Sequence, residues 1–179
     1  MGGGGCLRLA FKYPDIFGAV ASMEPGIWPG LHWEEVPAKH KFRPPERLAM
    51  LFGDPFDSAY WEANNPASIA ASDLDRLRDG LSIYLECGDL DFFGFHEGTE
   101  FLHRTLWEKR IPHEYRLIRW ANHVGSSLSD RSRDRFHFIG RFLSQPFPKE
   151  ERTESAARIR EEQWQKMGFE PHPFWPKHE

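Results

Sequence analysis

The feature that most constrains the fold is an alternation of short apolar runs with helical patterns in the second half of the sequence. Residues 81–87 and 114–120 read as strands. Each is followed by a segment with apolar residues at helical spacing, residues 96–110 and 129–143. Strands that alternate with helices of this length are typical of a parallel sheet flanked by helices. The pattern therefore predicts the α/β class.

The start of the sequence fits the same architecture. A helix is predicted over residues 4–13 and ends before Pro14. The uninterrupted apolar run at residues 17–22 predicts a strand that is buried on both faces. The four glycines at positions 2–5 are consistent with a flexible linker or with a tight turn that enters the helix.

Residues 24–80 form an irregular excursion, because prolines interrupt every period there and aromatic residues are frequent. We expect one short helix to begin at Asp57 and another to begin at a Ser72 or Asp73 cap and end at Gly80. A charged tail follows from Pro146, with a weakly amphipathic helix over residues 150–167. The predicted organisation is thus a domain over residues 1–145 and a partly helical tail over residues 146–179.

Charge and composition exclude several classes of protein. The net charge is −4, which argues against a nucleic-acid-binding surface. No apolar run approaches the roughly 18 residues of a membrane helix. The two cysteines, Cys6 and Cys87, cannot form a disulfide scaffold, and a zinc site with paired thiolates is disfavoured. No signal peptide is visible, which favours a cytoplasmic location.

Two loops at the ends of predicted strands carry the residues with catalytic chemistry. The first reads Gly88-Asp89-Leu90-Asp91-Phe92, and the second contains His123. Functional residues of parallel sheets lie just past the carboxyl ends of strands. A carboxylate loop followed by a histidine loop is two-thirds of a hydrolytic triad, in which histidine is the general base and then the general acid. Taken singly, an aspartate there is more often a turn or cap residue, and a loop histidine is more often structural.

Together these segments resemble the carboxyl-terminal part of an α/β-hydrolase of the esterase-D and enterochelin-esterase-like group. The resemblance spans residues 1–143 and implies a partial α/β-hydrolase fold, a serine esterase activity and no metal or organic cofactor. The family's Gly-x-x-Asp pattern implies Asp91 as the triad acid, with Asp89 as the alternative, and His123 as the base. The segments that carry the resemblance are residues 1–5, 9–22, 88–91, 97–103, 111–115 and 123–125.

The sequence departs from that family at the nucleophile. The family's serine stands in a G-x-S-x-G elbow, and Met1-Gly2-Gly3 would be the residues just after it. Ser22, Ser126 and Ser127 lack an elbow and are poor substitutes, and Cys6 and Cys87 read as packed residues. We therefore expect a fragment without its nucleophile, inactive as given. The alternative is a non-catalytic remnant or interaction module on the same scaffold.

The expected partner of the intact protein is a small-molecule ester or thioester. Trp28, Trp33, Trp61 and Phe92 are candidates for an acyl or aryl pocket, although the first reading is that most are core residues of the excursion. Trp120 is expected in the core beside the histidine loop. His96, His103 and His113 read as surface or packed residues, since their spacing does not match a helical metal pair. The apolar edge of strand 17–22 makes a homodimer possible.

Overall fold

The computed structural model describes residues 2–41, 43–72, 74–144, 158–159 and 161–168. It divides into two compact units, with the boundary between Phe142 and Leu143. Within the second unit, residues 158–159 and 161–167 are helical, so the tail helix predicted over residues 150–167 falls partly outside the described residues. No helix among the described residues has the length and apolar character needed to cross a bilayer.

The order of helices and strands up to residue 144 confirms the predicted alternation. It is α1 (Gly2–Lys12), β1 (Ala19–Met23), α2 (Pro45–Phe52), α3 (Ser58–Glu62), α4 (Pro66–Ser72), α5 (Leu74–Gly80), β2 (Ser82–Gly88), α6 (Phe95–Glu108), β3 (His113–Ile118) and α7 (Leu128–Ser144). Two 3₁₀ turns, Trp33–Glu35 and Ala38–His40, lie between β1 and α2.

The described strands form a parallel three-stranded sheet in the order β1-β2-β3. Val20 pairs with Ile83 in the first ladder, and Ile83 pairs with His113 in the second. Because all three strands run in one direction, their carboxyl ends at Met23, Gly88 and Ile118 share one edge of the sheet. The predicted α/β class is confirmed, and this edge is where a parallel sheet places functional residues.

Helices cover both faces of the sheet. On one face, α1, α4, α5 and α6 bury the main apolar core against Val20, Ile83 and Leu85. On the other face, Phe138 of α7 packs against Tyr84 with ring centroids 5.4 Å apart. The strand residues therefore alternate between an apolar face toward α1 and α6 and a more polar face toward α7.

The first strand begins two residues later than its apolar run predicts. The amides of Ile16 and Phe17 both donate to the carbonyl oxygen of Tyr13, which closes a turn after α1. Phe17 therefore belongs to the turn, and pairing with β2 begins at Ala19. Helix α1 likewise includes Gly2 and Gly3, so the glycines form its first turn rather than a linker.

Candidate active site

Asp91 and His123 meet at the carboxyl edge of the sheet. Asp91 follows β2, His123 follows β3, and the imidazole Nδ1 lies 2.7 Å from Asp91 Oδ2. The Asp91 side chain is fully buried, whereas the His123 side chain is 24% exposed. Because Nδ1 is hydrogen-bonded to Asp91, Nε2 is the ring nitrogen that can exchange a proton with a substrate or nucleophile.

The loop after β2 fixes the orientation of Asp91. Its Oδ1 accepts hydrogen bonds from the backbone amides of Phe93 at 2.8 Å and Phe95 at 3.3 Å, just where α6 begins. Gly94, between these residues, adopts a left-handed conformation with φ of 72°. Oδ1 is thus hydrogen-bonded to backbone amides, and Oδ2 is hydrogen-bonded to His123.

Asn122 ties the acid loop to the histidine loop. Its Oδ1 accepts from the amide of Phe92 at 3.1 Å and from that of His123 at 2.7 Å. Gly88 permits the close approach of the two loops, because a Cβ at this position would lie 2.3 Å from the carbonyl oxygen of Ala121. A glycine at the end of β2 is therefore a steric requirement of the site.

Hydrogen bonds keep Asp91 ionised despite its burial. Burial by itself raises the pKa of the carboxyl group. The hydrogen bonds with Glu24, His123 and the amides of Phe95 and Phe93 outweigh burial, so the pKa of Asp91 lies below its ordinary value. Asp91 can therefore stabilise an imidazolium at His123 without taking its proton.

Aromatic rings surround the imidazole. The rings of Phe92, Phe93 and Phe95 lie 5.5, 5.0 and 5.6 Å from that of His123, measured between centroids. Phe92 is 60% exposed. Of the four aromatic candidates for a pocket, Phe92 is thus the one that lies beside His123.

The other three candidates belong to a separate apolar cluster of the excursion. Trp61 is fully buried, and Trp28 and Trp33 pack against it. Their prediction as core residues is confirmed. The prediction for Trp120 is wrong, because its side chain is 73% exposed. The chain turns at this residue with φ of 62°, which directs the indole away from the core.

The alternative acid and the substitute nucleophiles do not join the site. Asp89 donates its amide to the carbonyl oxygen of Ile118, and among the described residues it is Asp91, not Asp89, whose carboxylate is hydrogen-bonded to His123. Ser22 is fully buried and its hydroxyl donates to Gly3 O at 2.9 Å. Ser126 is exposed and Ser127 half-buried in the turn after His123.

Neither cysteine has the properties of a nucleophile. Cys6 donates to Gly3 O at 3.1 Å, and burial raises the pKa of its thiol. Burial, followed by the neighbouring Glu24, raises the pKa of Cys87 far above its ordinary value. Both thiols are therefore protonated at neutral pH, as a packed cysteine is.

A buried charged network lies behind Asp91, and sequence reasoning missed it. Glu24 directly follows β1 and is 4% exposed, and Glu86 of β2 and Arg131 of α7 are also buried. The Arg131 guanidinium pairs with both carboxylates and donates to the Asn122 carbonyl at 3.0 Å. The available signal was a charged residue shortly after the carboxyl end of a predicted strand, which is also where the loops that contain Asp91 and His123 lie.

One group of side chains has the composition of a metal site. Single ligand atoms of Glu24, Cys87 and Asp91 lie within 4.8 Å of one another. Protein donors already bind both carboxyl groups, since Glu24 accepts from Arg131, the Gly88 amide and the Cys87 thiol, and Asp91 accepts from His123 and two amides. A cation would have to displace a guanidinium, so the arrangement fits a hydrogen-bond network better than a metal centre.

The other histidines lie elsewhere. His103 of α6 and His113 of β3 contact each other, with His103 Nδ1 2.8 Å from His113 Nε2. His113 Nδ1 lies 2.8 Å from the carbonyl oxygen of Ile111, to which it donates, so its Nε2 accepts from His103. This hydrogen bond links α6 to β3. It agrees with the interpretation of the two residues as surface or packed histidines rather than metal ligands.

Comparisons with known proteins bear on this geometry. The profile of the Esterase family, described as "Putative esterase", matches residues 1–143. A search of the curated proteins gave no match. Among solved structures, a ferulic acid esterase is 20% identical with a TM-score of 0.53, over 77% of this chain and 47% of that chain.

Two further solved structures are similar. Dipeptidyl peptidase 4 of Porphyromonas gingivalis is 14% identical with a TM-score of 0.52, over 77% of this chain and 18% of that chain. A Bacteroides ovatus protein described as a "putative dipeptidyl aminopeptidase IV" is 17% identical with a TM-score of 0.51, over 82% of this chain and 18% of that chain. The chain thus spans about half of the first structure and less than a fifth of the other two. The likeness shows the fold, which is part of an α/β-hydrolase domain.

Proposed function

The chain belongs to the Esterase family, and from that membership and the geometry at the sheet edge we propose that it acts in the hydrolysis of carboxylic esters. In this proposal His123 is the general base and then the general acid, and Asp91 orients it. The observation that carries the proposal is the 2.7 Å hydrogen bond between a buried carboxylate and a partly exposed imidazole, each placed just after a parallel strand.

The proposed reaction follows the order of a serine hydrolase. His123 Nε2 removes the proton of a serine hydroxyl as the oxygen attacks the ester carbonyl, and Asp91 stabilises the imidazolium that forms. The imidazolium then protonates the departing alcohol, which leaves an acyl-enzyme. A water molecule, activated by the same histidine, releases the acid. These steps require neither a metal ion nor an organic cofactor.

In this proposal the nucleophile is a serine outside the 179 residues. The sequence contains no G-x-S-x-G motif. Helix α1 begins at the catalytic edge, since Gly3 lies directly against the carbonyl oxygen of Met23 at the end of β1. A serine immediately before this helix would therefore lie on the same side of the sheet as Asp91 and His123.

The exposed aromatic surface beside His123 supports an ester with an apolar acyl or aryl part. Phe92 and Phe93 are 60% and 45% exposed, and both rings face the imidazole. Such surface stabilises an apolar group mainly by its removal from water. The substrate's reacting carbonyl would then lie within reach of His123 Nε2.

The test is esterase turnover of the protein expressed from the full open reading frame that contains these residues, with p-nitrophenyl acetate as substrate. We expect His123→Ala to lower kcat by about 10³-fold or more, because the general base is lost. His137→Ala is the matched control, since His137 is an exposed histidine of α7, and it should retain the wild-type rate.

Two results would contradict the proposal. One is a His123→Ala variant that hydrolyses the ester as fast as the wild-type protein. The other is a full-length wild-type protein that neither turns over activated esters nor reacts with a serine-directed phosphonate. The second result would favour the alternative, a non-catalytic module on an α/β-hydrolase scaffold.

A further inference from the structure

Glu24 occupies a position equivalent to those of Asp91 and His123. Each of the three residues follows one strand of the sheet at the carboxyl edge: Glu24 after β1, Asp91 after β2 and His123 after β3. Glu24 has a left-handed backbone with φ of 47°, which is uncommon for a residue with a side chain. Its amide donates to the carbonyl oxygen of Glu86 at 2.9 Å, which holds this conformation in place.

The two oxygens of Glu24 have different neighbours. Oε1 accepts from the Gly88 amide at 3.0 Å and from the Arg131 guanidinium. The thiol of Cys87 donates to Oε2 at 2.7 Å. Single ligand atoms of Glu24, Cys87 and Asp91 lie within 4.8 Å of one another. Both N–H donors thus bind Oε1, whereas Oε2 has the weakly donating thiol as its partner and is the oxygen that can carry a proton.

The charges around Glu24 require such a proton. Among the residues that the structure describes, the carboxyl groups of Glu24, Glu86 and Asp91 are buried together with one guanidinium, that of Arg131. Other titratable groups that contact the cluster, within the described part of the chain, are His123, Cys87 and Tyr84, and Tyr84 donates to Glu86 at 2.9 Å. Two buried carboxyl groups this close do not both stay ionised.

The proton belongs on Glu24 rather than on Asp91. Burial raises the pKa of Glu24, and its hydrogen bond with Asp91 raises that pKa further, against the opposing effects of Cys87, Arg131 and Gly88. The same hydrogen bond lowers the pKa of Asp91. Asp91 also accepts from two backbone amides and from His123, which favours its ionised form, so Glu24 is the donor and Asp91 the acceptor between these two groups.

We propose that Glu24 is a positioning residue for the Asp91–His123 pair, in which its protonated carboxyl group donates a hydrogen bond to Asp91 and holds that carboxylate toward the imidazole. The inference rests on the proposed function for its catalytic consequence. With Glu24 neutral, the cluster of Glu86, Asp91 and Arg131 carries one net negative charge. That charge is balanced when His123 accepts the proton of the nucleophile.

The test compares two variants of the 179-residue chain through the Nδ1–H proton resonance of His123, assigned by its loss in His123→Gln. Glu24→Gln replaces the hydroxyl donor with an amide donor, whereas Glu24→Met has similar length and no donor. We expect the resonance to persist in Glu24→Gln and to shift upfield or disappear in Glu24→Met. Glu86→Gln is the control, because it alters the ion pair with Arg131 without removing a donor from Asp91.

The proposal is overturned if the His123 Nδ1–H resonance changes equally in Glu24→Gln and Glu24→Met. Neither variant can form an ion pair with Arg131, so an ion-pair role of Glu24 would affect both alike. If Glu24→Met does not fold, the side-chain carboxyl ¹³C titration of Glu24 in the wild-type chain decides. A carboxyl group still protonated at about pH 7 supports the proposal, and one that ionises with ordinary glutamates overturns it.

Turnover of the full-length protein provides the catalytic measurement. We expect Glu24→Met to lower kcat about tenfold more than Glu24→Gln, with little change in KM, by analogy with the loss of partners that orient a metal-bound histidine. Equal kcat values would contradict the positioning role. Failure of the proposed function can be told apart from failure of the positioning role. The proposed function fails if ester turnover does not depend on His123, whereas the resonance measurements test the positioning of Asp91 and His123 without any turnover.

Discussion

At the scale of single residues, hydrogen-bond donors determine what each buried titratable group can do. Asp91 accepts from two backbone amides and from His123, and these donors favour its ionised form. His113 has the opposite role, because its Nε2 must remain an acceptor for His103. In both cases backbone groups set the role of the side chain. Two backbone amides donate to Asp91, and the carbonyl oxygen of Ile111 accepts the Nδ1 proton of His113, which leaves Nε2 as an acceptor.

His113 predicts an acid sensitivity of the fold. Burial lowers its pKa below the ordinary value of 6.5, and His103 adds to the effect. The unfolded chain therefore takes up the proton first as the pH falls, so stability is lost as the pH drops below about 6.5. We expect His113→Gln to reduce the loss of unfolding free energy between about pH 7 and pH 5, as measured by urea denaturation.

The control for this prediction is His137→Gln, which alters an exposed histidine and should retain the wild-type pH dependence. Identical pH profiles for the wild-type and His113→Gln chains would show that His113 does not titrate between folded and unfolded states as described.

Sequence reasoning identified some site residues and missed others for a physical reason. Asp91 and His123 were predicted, because the strand periodicity placed an acid loop and a histidine loop at the sheet edge and the family resemblance favoured Asp91 over Asp89. Glu24 was not, because its place in the network is defined by contacts that are distant in the chain: Arg131, more than a hundred positions away, reaches it through the packing of α7 on the sheet. A pair of this kind has no local pattern.

At the scale of helices and strands, glycines set the distance between α1 and β1. A Cβ on Gly3 would lie 2.3 Å from the carbonyl oxygen of Met23, whereas a Cβ on Gly5 would meet nothing within 4 Å. Both residues lie in the same helix. Gly3 is thus needed for the packing of α1 against β1, whereas Gly5 only lowers the stability of the helix.

This difference predicts opposite effects of one substitution at two neighbouring sites. We expect Gly3→Ala to lower the free energy of unfolding by about 1–3 kcal/mol, because the backbone of β1 must move. We expect Gly5→Ala to raise it by roughly 0.5–1 kcal/mol through helix propensity. Urea denaturation of both variants measures the effects, and the same sign for both would contradict the described contact.

The prolines of the excursion explain which helices the sequence did not predict. They read as interruptions, yet Pro45 and Pro66 are the first residues of α2 and α4. Proline is favoured at that position because its missing N–H has no partner there in any case. The helix expected from Asp57 was predicted correctly, since the Asp57 side chain accepts from the amide of Tyr60 at 2.8 Å as an N-cap.

At the scale of the whole molecule, the described part of the first unit has two apolar clusters. The larger one lies between the sheet and α1, α4, α5 and α6. The smaller one is aromatic and holds the excursion together around Trp61, with Trp28 and Phe52 against it. The alternation of strands and helices predicts a core between the sheet and its helices, although α4 and α5, which also line it, lie in the excursion. The expectation that most of the excursion's tryptophans are core residues agrees with the second cluster.

The aromatic cluster accordingly predicts a large effect of one substitution. We expect Trp61→Ala to lower the free energy of unfolding by about 3–5 kcal/mol, a substantial share of the 5–15 kcal/mol typical of a domain. Trp107→Ala is the control, since Trp107 is 72% exposed, and it should change stability by less than about 0.5 kcal/mol. Equal losses in the two variants, measured by urea denaturation, would contradict the described cluster.

The most direct test of the central claim is the kcat for ester hydrolysis of Asp91→Asn and Asp89→Asn in the full-length protein. The two residues stand in one loop, and only Asp91 contacts His123. The account predicts a fall of about 10⁴-fold for Asp91→Asn, as for a triad histidine held in the wrong tautomer, and a change of less than about tenfold for Asp89→Asn. Full activity of Asp91→Asn, or a greater loss in Asp89→Asn, would contradict the assignment of Asp91 and His123 as the catalytic pair.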